Sequence, residues 1–215
     1  MKTSPLSTKT FLIGGTPTPF TIPTPLLPPH LLALPENAHL RETSEETFIL
    51  LATYLRTSNY NPPARLPLSG KLRSHIALYD FSTRYEIPGL AFLVLTKVHA
   101  LLALLVPHDR GYAIGPAEIS CGEKWSLVRL VYGCRGEGGG GMRRLWAGFL
   151  AANWGWYVKS GLVNGRIDAR SDVGRALEEV QGLKEDLLVA LGDGGWFLPP
   201  VEEGTAERMG QQWSW

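Results

Sequence analysis

The sequence is poor in cysteine, with two thiols, Cys121 and Cys134, in 215 residues. Two thiols define no disulfide framework, and they read as free groups in a reducing compartment. No CxxC pair and no Cys/His cluster with zinc spacing occurs, so neither metal nor cofactor is expected. Histidine is sparse as well. His30, His39, His75, His99 and His108 are scattered, none at the i, i+4 spacing of a helical ligand pair. His99 falls in an apolar helix and reads as a hydrogen-bonded core group. No GxSxG word marks a nucleophile elbow. Charge imbalance is also missing. The 21 basic and 20 acidic residues leave a net charge of +1, which excludes a field that would draw nucleic acid or an anionic membrane. The densest basic pair is Arg143–Arg144, far short of a polybasic patch. An N-terminal signal peptide is not expected: Met1 to Thr10 is polar, and Pro17, Pro19, Pro23 and Pro25 break the next stretch of chain. The longest apolar run, Gly89 to Val106, carries Lys97 and His99 in its middle. A central lysine costs about 2.5–3.5 kcal/mol in a bilayer, so the run reads as a buried core helix. The expectation is a soluble protein of the cytoplasm or nucleus, with neither nucleic acid nor membrane as partner.

What is present is enough apolar material for a core. At 44% hydrophobic over this length, the chain needs no staple to fold. Phe11-Leu-Ile-Gly-Gly15 and Pro19-Phe-Thr-Ile-Pro23 read as two paired strands, the second with prolines suited to an edge. Thr24-Pro25 opens a short, proline-rich helical stretch supplied with leucines. Thr43-Ser-Glu-Glu46 reads as a capping box ahead of a helix through Phe48, Leu51, Ala52 and Leu55. A second helix is expected from Lys71 to about Ile87, with Leu72, Ile76, Tyr79 and Thr83 on one face. Pro88-Gly89 breaks it. The next helix, Leu90 to Leu105, is apolar nearly all round and so expected to be buried on most sides. Further helices are expected over Glu118–Tyr132, broken at Gly122 or starting after it, and over Arg143–Val158. The glycine tract Gly136–Gly141 reads as a flexible loop. Asp172–Leu191 reads as one amphipathic helix with Val173, Leu177, Val180, Leu187 and Leu191 as its stripe, stopped by Gly192. Two strands followed by helix upon helix give an α+β class with a small N-terminal sheet.

Several words in order resemble the fungal BTB/POZ proteins. That family pairs two strands ahead of a leucine-rich helix, as Phe20-Thr-Ile-Pro-Thr24 and Pro25-Leu-Leu27 do here. Its later words are matched by Glu46-Thr-Phe48, by Tyr54-Leu-Arg-Thr-Ser-Asn-Tyr60 and by Leu78-Tyr-Asp-Phe-Ser-Thr-Arg-Tyr-Glu-Ile-Pro-Gly-Leu90. Leu127-Val-Arg-Leu-Val-Tyr132 is similar to a further helix of the family. The resemblance covers roughly residues 10 to 135 and rests on the order and spacing of the words. It implies a BTB/POZ-like domain over residues 1–106, a helical extension packed on it over 107–195, and a tail over 196–215. The family's strand-two histidine is Pro23 here. Its third strand, due between Leu34 and Glu42, is not visible in the sequence, so a reduced sheet is expected.

The function that this resemblance implies is protein–protein interaction without catalysis, by a protein partner or by self-association as a homodimer. Leu40-Arg-Glu42 has the apolar-X-Glu form of a cullin-binding signature, which would make the chain a ubiquitin ligase adaptor. Seven tryptophans are a surplus. Trp146 and Phe149 share a helical face with Tyr157, while Trp154 and Trp156 point elsewhere and could offer an aromatic surface. The candidate partner-binding residues are therefore Leu40, Glu42, Trp154 and Trp156. Two other readings stay open. One is a structural descendant of the family that has lost its partner. The other is an enzyme with a site around His75, Asp80 and Arg84, which loosely share a helix face. Gly136–Gly141 lacks the Lys-Ser/Thr of a phosphate loop and follows a helix, so it is not read as one.

Overall fold

The computed structural model describes residues 7–105, 119, 121–134, 140–154, 162–163 and 166–193. These residues form a mixed α+β arrangement, as the sequence leads one to expect. Strands β1 (Thr8–Ile13) and β2 (Thr18–Pro23) form an antiparallel hairpin with Phe11 opposite Phe20. Alternation drives Phe11 and Ile13 inward, joined by Ile22 from β2. A 3-10 turn (Thr24–Leu26) leads to the five-residue helix α1 (Pro29–Ala33), kept short by the prolines ahead of it. The Lys9 side chain reaches from β1 to the end of this helix and donates to the carbonyls of Leu32 and Leu34. A cation on C-terminal carbonyls is a favourable placement.

The third strand is present, contrary to the expected reduced sheet. β3 (Ala38–Leu40) runs parallel to β1, giving the order β2-β1-β3. It is only three residues long, which is why no alternation showed in the sequence. Its position is held from outside the strand. Asn37 N–H donates to the Thr10 carbonyl and Gly14 N–H to the Leu40 carbonyl, at 3.0 and 3.2 Å. The Glu36 carboxylate accepts from Thr10 N–H at 2.9 Å. His39 Nε2 lies 2.7 Å from the Gly14 carbonyl oxygen.

Helix α2 (Glu45–Thr57) begins one residue later than the expected capping box would place it. Ser44, not Thr43, is the cap, and its hydroxyl accepts from Thr47 N–H at 3.1 Å. Phe48 on the inner face of α2 packs against Phe11 and Phe20, with ring centroids 5.6 and 5.3 Å apart. Helix α3 (Leu68–Arg84) starts earlier and ends earlier than expected. Glu86 takes a positive φ of 50°, and Ile87 N–H returns to the Ser82 carbonyl at 2.8 Å, closing the helix end. Pro88 then opens α4 (Pro88–Ala103). Burial on α4 is narrower than expected. Leu90, Val94, Val98 and Leu102 form one fully buried stripe, and the flanking apolar residues are half-exposed.

Helix α5 (Cys121–Tyr132) starts at Cys121, just ahead of Gly122 rather than after it; residues 118 and 120 of the expected span lie outside the described residues. Helix α6 (Gly140–Ala152) begins inside the glycine tract, so Gly140 and Gly141 are helical and not loop. Gly141 is required by a close approach: a Cβ there would lie 2.7 Å from the Tyr79 hydroxyl. Trp146 and Phe149 are buried and meet edge to face at 6.1 Å. Beyond Ala152 only Asn153 and Trp154 of the helix expected to Val158 are described, and Tyr157 lies outside the described residues. The small strands β4 (Leu162–Val163) and β5 (Arg166–Ile167) pair antiparallel.

The expected long helix over 172–191 is two helices, α7 (Asp172–Glu179) and α8 (Leu183–Gly192). Gly182 breaks it with a φ of +80°, and a side chain there would collide with the Arg143 guanidinium. Gly192 belongs to α8 instead of stopping it, and Leu191 is exposed rather than part of a buried stripe. Gly174 has a stricter role. A Cβ there would run into the Asp168 carbonyl oxygen and fall 2.7 Å from the Ala169 Cα, both backbone atoms that cannot swing away. Gly174→Ala is expected to cost about 1–3 kcal/mol by overpacking, read as a lower urea midpoint with an unchanged slope. An unaltered midpoint would show that the 168–174 turn yields freely.

The core is continuous. It joins Phe11 and Ile13 of the sheet to Phe48, Leu72, Leu90, Trp125, Trp146 and Leu187. Helix α3 packs on α2, α4 and α5, and α4 also packs on α6. No helix among the described residues is long and apolar enough to cross a membrane.

Candidate partner-binding cleft

Helical spacing places Ile76, Asp80 and Arg84 along one side of α3. The turn from β3 into α2 brings Glu42 and Thr43 over that side, fixed where Thr43 N–H donates to the Leu40 carbonyl at 3.2 Å. The C-terminal end of α5 supplies Arg129, Leu130 and Cys134 from the opposite bank. Between them lies a cleft of about 420 Å³. Ile76 and Phe81 are its buried apolar floor, Leu130 stands exposed on the α5 side, and Glu42, Asp80, Arg84 and Arg129 bring charge to the rim.

Arg84 organises the rim. One guanidinium nitrogen meets Glu42 at 2.9 Å and the other meets Asp80 at 2.8 Å. Burial opposes its charge, but Asp80 and Glu42 outweigh that and hold its pKa above the ordinary guanidinium value. Arg129 is drawn outward to Glu179 of α7 at 2.7 Å. Cys134 is a free, half-buried thiol that donates to the Leu130 carbonyl at 3.4 Å. Burial, reinforced by the Asp80 charge, pushes its pKa up to about 11 against a smaller opposing pull from Arg84. At neutral pH it is a protonated thiol and a poor nucleophile. Ser44 and Thr47 are spent on the α2 cap and on each other, 2.8 Å apart. The lining residues therefore offer an apolar seat with fixed charges around it.

The sequence-derived candidates divide here. Leu40 is buried, 8% exposed, because β3 turns it into the core in register with Ile13. Its side chain is not on offer to a partner, so the apolar-X-Glu word presents only its glutamate. Glu42 does sit on the cleft rim, its side chain 62% exposed. Trp154 is half-buried against the core, and Trp156 lies outside the described residues. The trio His75, Asp80 and Arg84 does not converge. Asp80 and Arg84 face the cleft, whereas His75 is buried on another side of α3 with Nδ1 2.7 Å from the Tyr60 hydroxyl. Sequence reading missed Arg129, Leu130 and Cys134. The α5 word was visible, but nothing in it told which residue would stand at the surface. Among the described residues no group of three or more His, Cys, Asp or Glu is placed to hold a metal ion. Comparison of the chain with protein-family models, with curated proteins and with solved structures finds no match.

Proposed function

We propose that this chain is a protein–protein interaction module of BTB/POZ-like build that works without a chemical step. The observation that carries the reading is the order of elements at the N-terminal end. A hairpin, a short helix and a third strand parallel to the first are followed by three helices packed in sequence, α2 on α3 and α3 on α4. The resemblance in the sequence calls for a strand between the leucine-rich helix and the Glu46-Thr-Phe48 helix, and β3 stands there. The helix-to-helix corner at Tyr85–Leu90, the strongest of the matching words, is a tight reversal with Ile87 and Leu90 both buried.

The cleft between α2, α3 and α5 is the surface this reading assigns to a partner. Leu130 is its exposed apolar anchor, at 38% exposure, and the Glu42–Arg84–Asp80 array supplies orientation. The cullin form of the reading draws on Glu42 alone, since Leu40 is buried. Tagged full-length protein should retain a stoichiometric protein from its native lysate. Leu130→Glu, at an exposed position and with its fold checked by circular dichroism, is expected to weaken that retention by about tenfold or more. Equal capture by both proteins would move the partner surface elsewhere. No capture, together with a purely monomeric chain, would overturn the reading.

A further inference from the structure

A second groove, separate from the cleft, lies between the edge strand β2 and the outer side of α2. Its volume is also about 420 Å³. Phe20, Ile22, Phe48 and Ala52 line it, and Ile49 stands at its mouth, 52% exposed. Ile49 thus extends the apolar lining of the trough out to the solvent-exposed side of α2.

The polar groups of the groove are almost all satisfied within the chain. Thr53 donates to the Ile49 carbonyl and Thr57 to the Thr53 carbonyl, each at 2.8 Å. Thr21 bonds Thr10 across the hairpin at 3.2 Å. The exception is Arg56, the one ionisable residue among the described residues lining the groove, which has no ion pair among them. Its planar fork of donors suits a carboxylate. Strand addition along β2 is disfavoured, because Pro19 and Pro23 carry no N–H. An occupant must therefore be seated by side chains. Ile49 and Arg56 are seven residues apart on α2, about 10 Å at the helical rise. A second helix spans that distance between its positions i and i+7.

We propose that this groove docks an amphipathic helix of a partner protein, with apolar side chains over Ile49 and Phe20 and a carboxylate, two turns on, at Arg56. The proposal deepens the interaction-module reading by naming a partner chemistry, at a surface distinct from the cleft.

The test uses the full chain and a labelled alanine-based helical peptide with leucines at i and i+4 and glutamate at i+7, followed by fluorescence anisotropy. Saturable binding is expected. Exchanging the peptide's glutamate for lysine should weaken it about tenfold, and Arg56→Glu should reverse that preference. Ile49→Lys should abolish it. Both substitutions are at exposed positions. Leu130→Glu should leave peptide binding unchanged, so a failure here is separable from a failure of the cleft. The proposal is overturned if the acidic peptide shows no saturable binding, or if Arg56→Glu and Ile49→Lys leave binding as it was. It is also overturned if light scattering shows a dimer that Ile49→Lys dissociates, since the occupant would then be a second copy of this chain.

Discussion

Phe48→Ala is expected to lower the unfolding free energy by about 3–5 kcal/mol. Phe48 is fully buried, and its ring touches both strands of the hairpin, at 5.6 Å from Phe11 and 5.3 Å from Phe20. Truncation removes buried area and leaves a cavity where α2 meets the sheet. The neighbouring Ile49→Ala also truncates an apolar side chain, but a smaller one at an exposed site. It should shift stability by no more than about 0.5 kcal/mol. Urea unfolding of the two variants decides the matter. Near-equal midpoints would mean that the hairpin does not depend on α2. A large loss for Phe48→Ala alone would show that sheet and helices form one cooperative unit, which an interaction module with surfaces on both needs.

Acid is expected to remove about 3 kcal/mol through a single histidine. His75 is buried, with its Nδ1 2.7 Å from the Tyr60 hydroxyl. Lys97 of α4 lies over the Tyr60 ring at 5.0 Å and donates to Asn61 Oδ1 at 3.0 Å. Burial first, and the Lys97 charge second, push the His75 pKa down to about 4. Burial holds the Tyr60 phenol far above its ordinary value, so both members of the pair are neutral at pH 7. The folded value lies below the unfolded one of about 6.5, so the unfolded chain takes up the proton first as pH falls. The contribution is whole above pH 6.5 and is lost as pH falls from there through about 4. Carboxylates titrate near the lower end of that window as well, so the comparison is with His75→Asn. The difference in unfolding free energy between the two proteins should shrink steadily from pH 6.5 to 4. A difference independent of pH would mean that the ring is charged or solvated in the fold. Because the pair ties the loop after α2 to α3 and α4, its loss should loosen that loop first.

The parts of this fold that were legible in the sequence are those governed by short-range rules. Helices α2 and α3 show a clean 3.6-residue pattern, and Pro88-Gly89 marks the corner after them. Errors arose where long-range contacts choose between local options. Thr43 and Ser44 are equally good caps by type. The Thr43 backbone is taken by the Leu40 carbonyl, which leaves Ser44 to cap. Strand β3 exists because Asn37 and Gly14 bond across to β1, which three residues of sequence do not reveal. The break between α7 and α8 depends on the Arg143 side chain from α6 occupying the space at Gly182. The candidate site was less legible still. Asp80 and Arg84 stood out as neighbours on one helix face and Glu42 for an unrelated word, and only folding brings Glu42 to the Arg84 guanidinium beside Asp80. Leu130 and Arg56 look ordinary in the sequence. Their interest lies in what surrounds them: an apolar floor beneath the first, and an apolar trough without a paired carboxylate, among the described residues, beside the second.

The central claim is that the chain acts by binding another protein. Its most direct test is absolute mass by light scattering across the size-exclusion peak of the full chain, alone and mixed with the protein it captures. A module predicts a species heavier than the 23.6 kDa monomer in at least one of the two runs, lost on Leu130→Glu in the mixed run. A peak that stays at the monomer mass in both would contradict it.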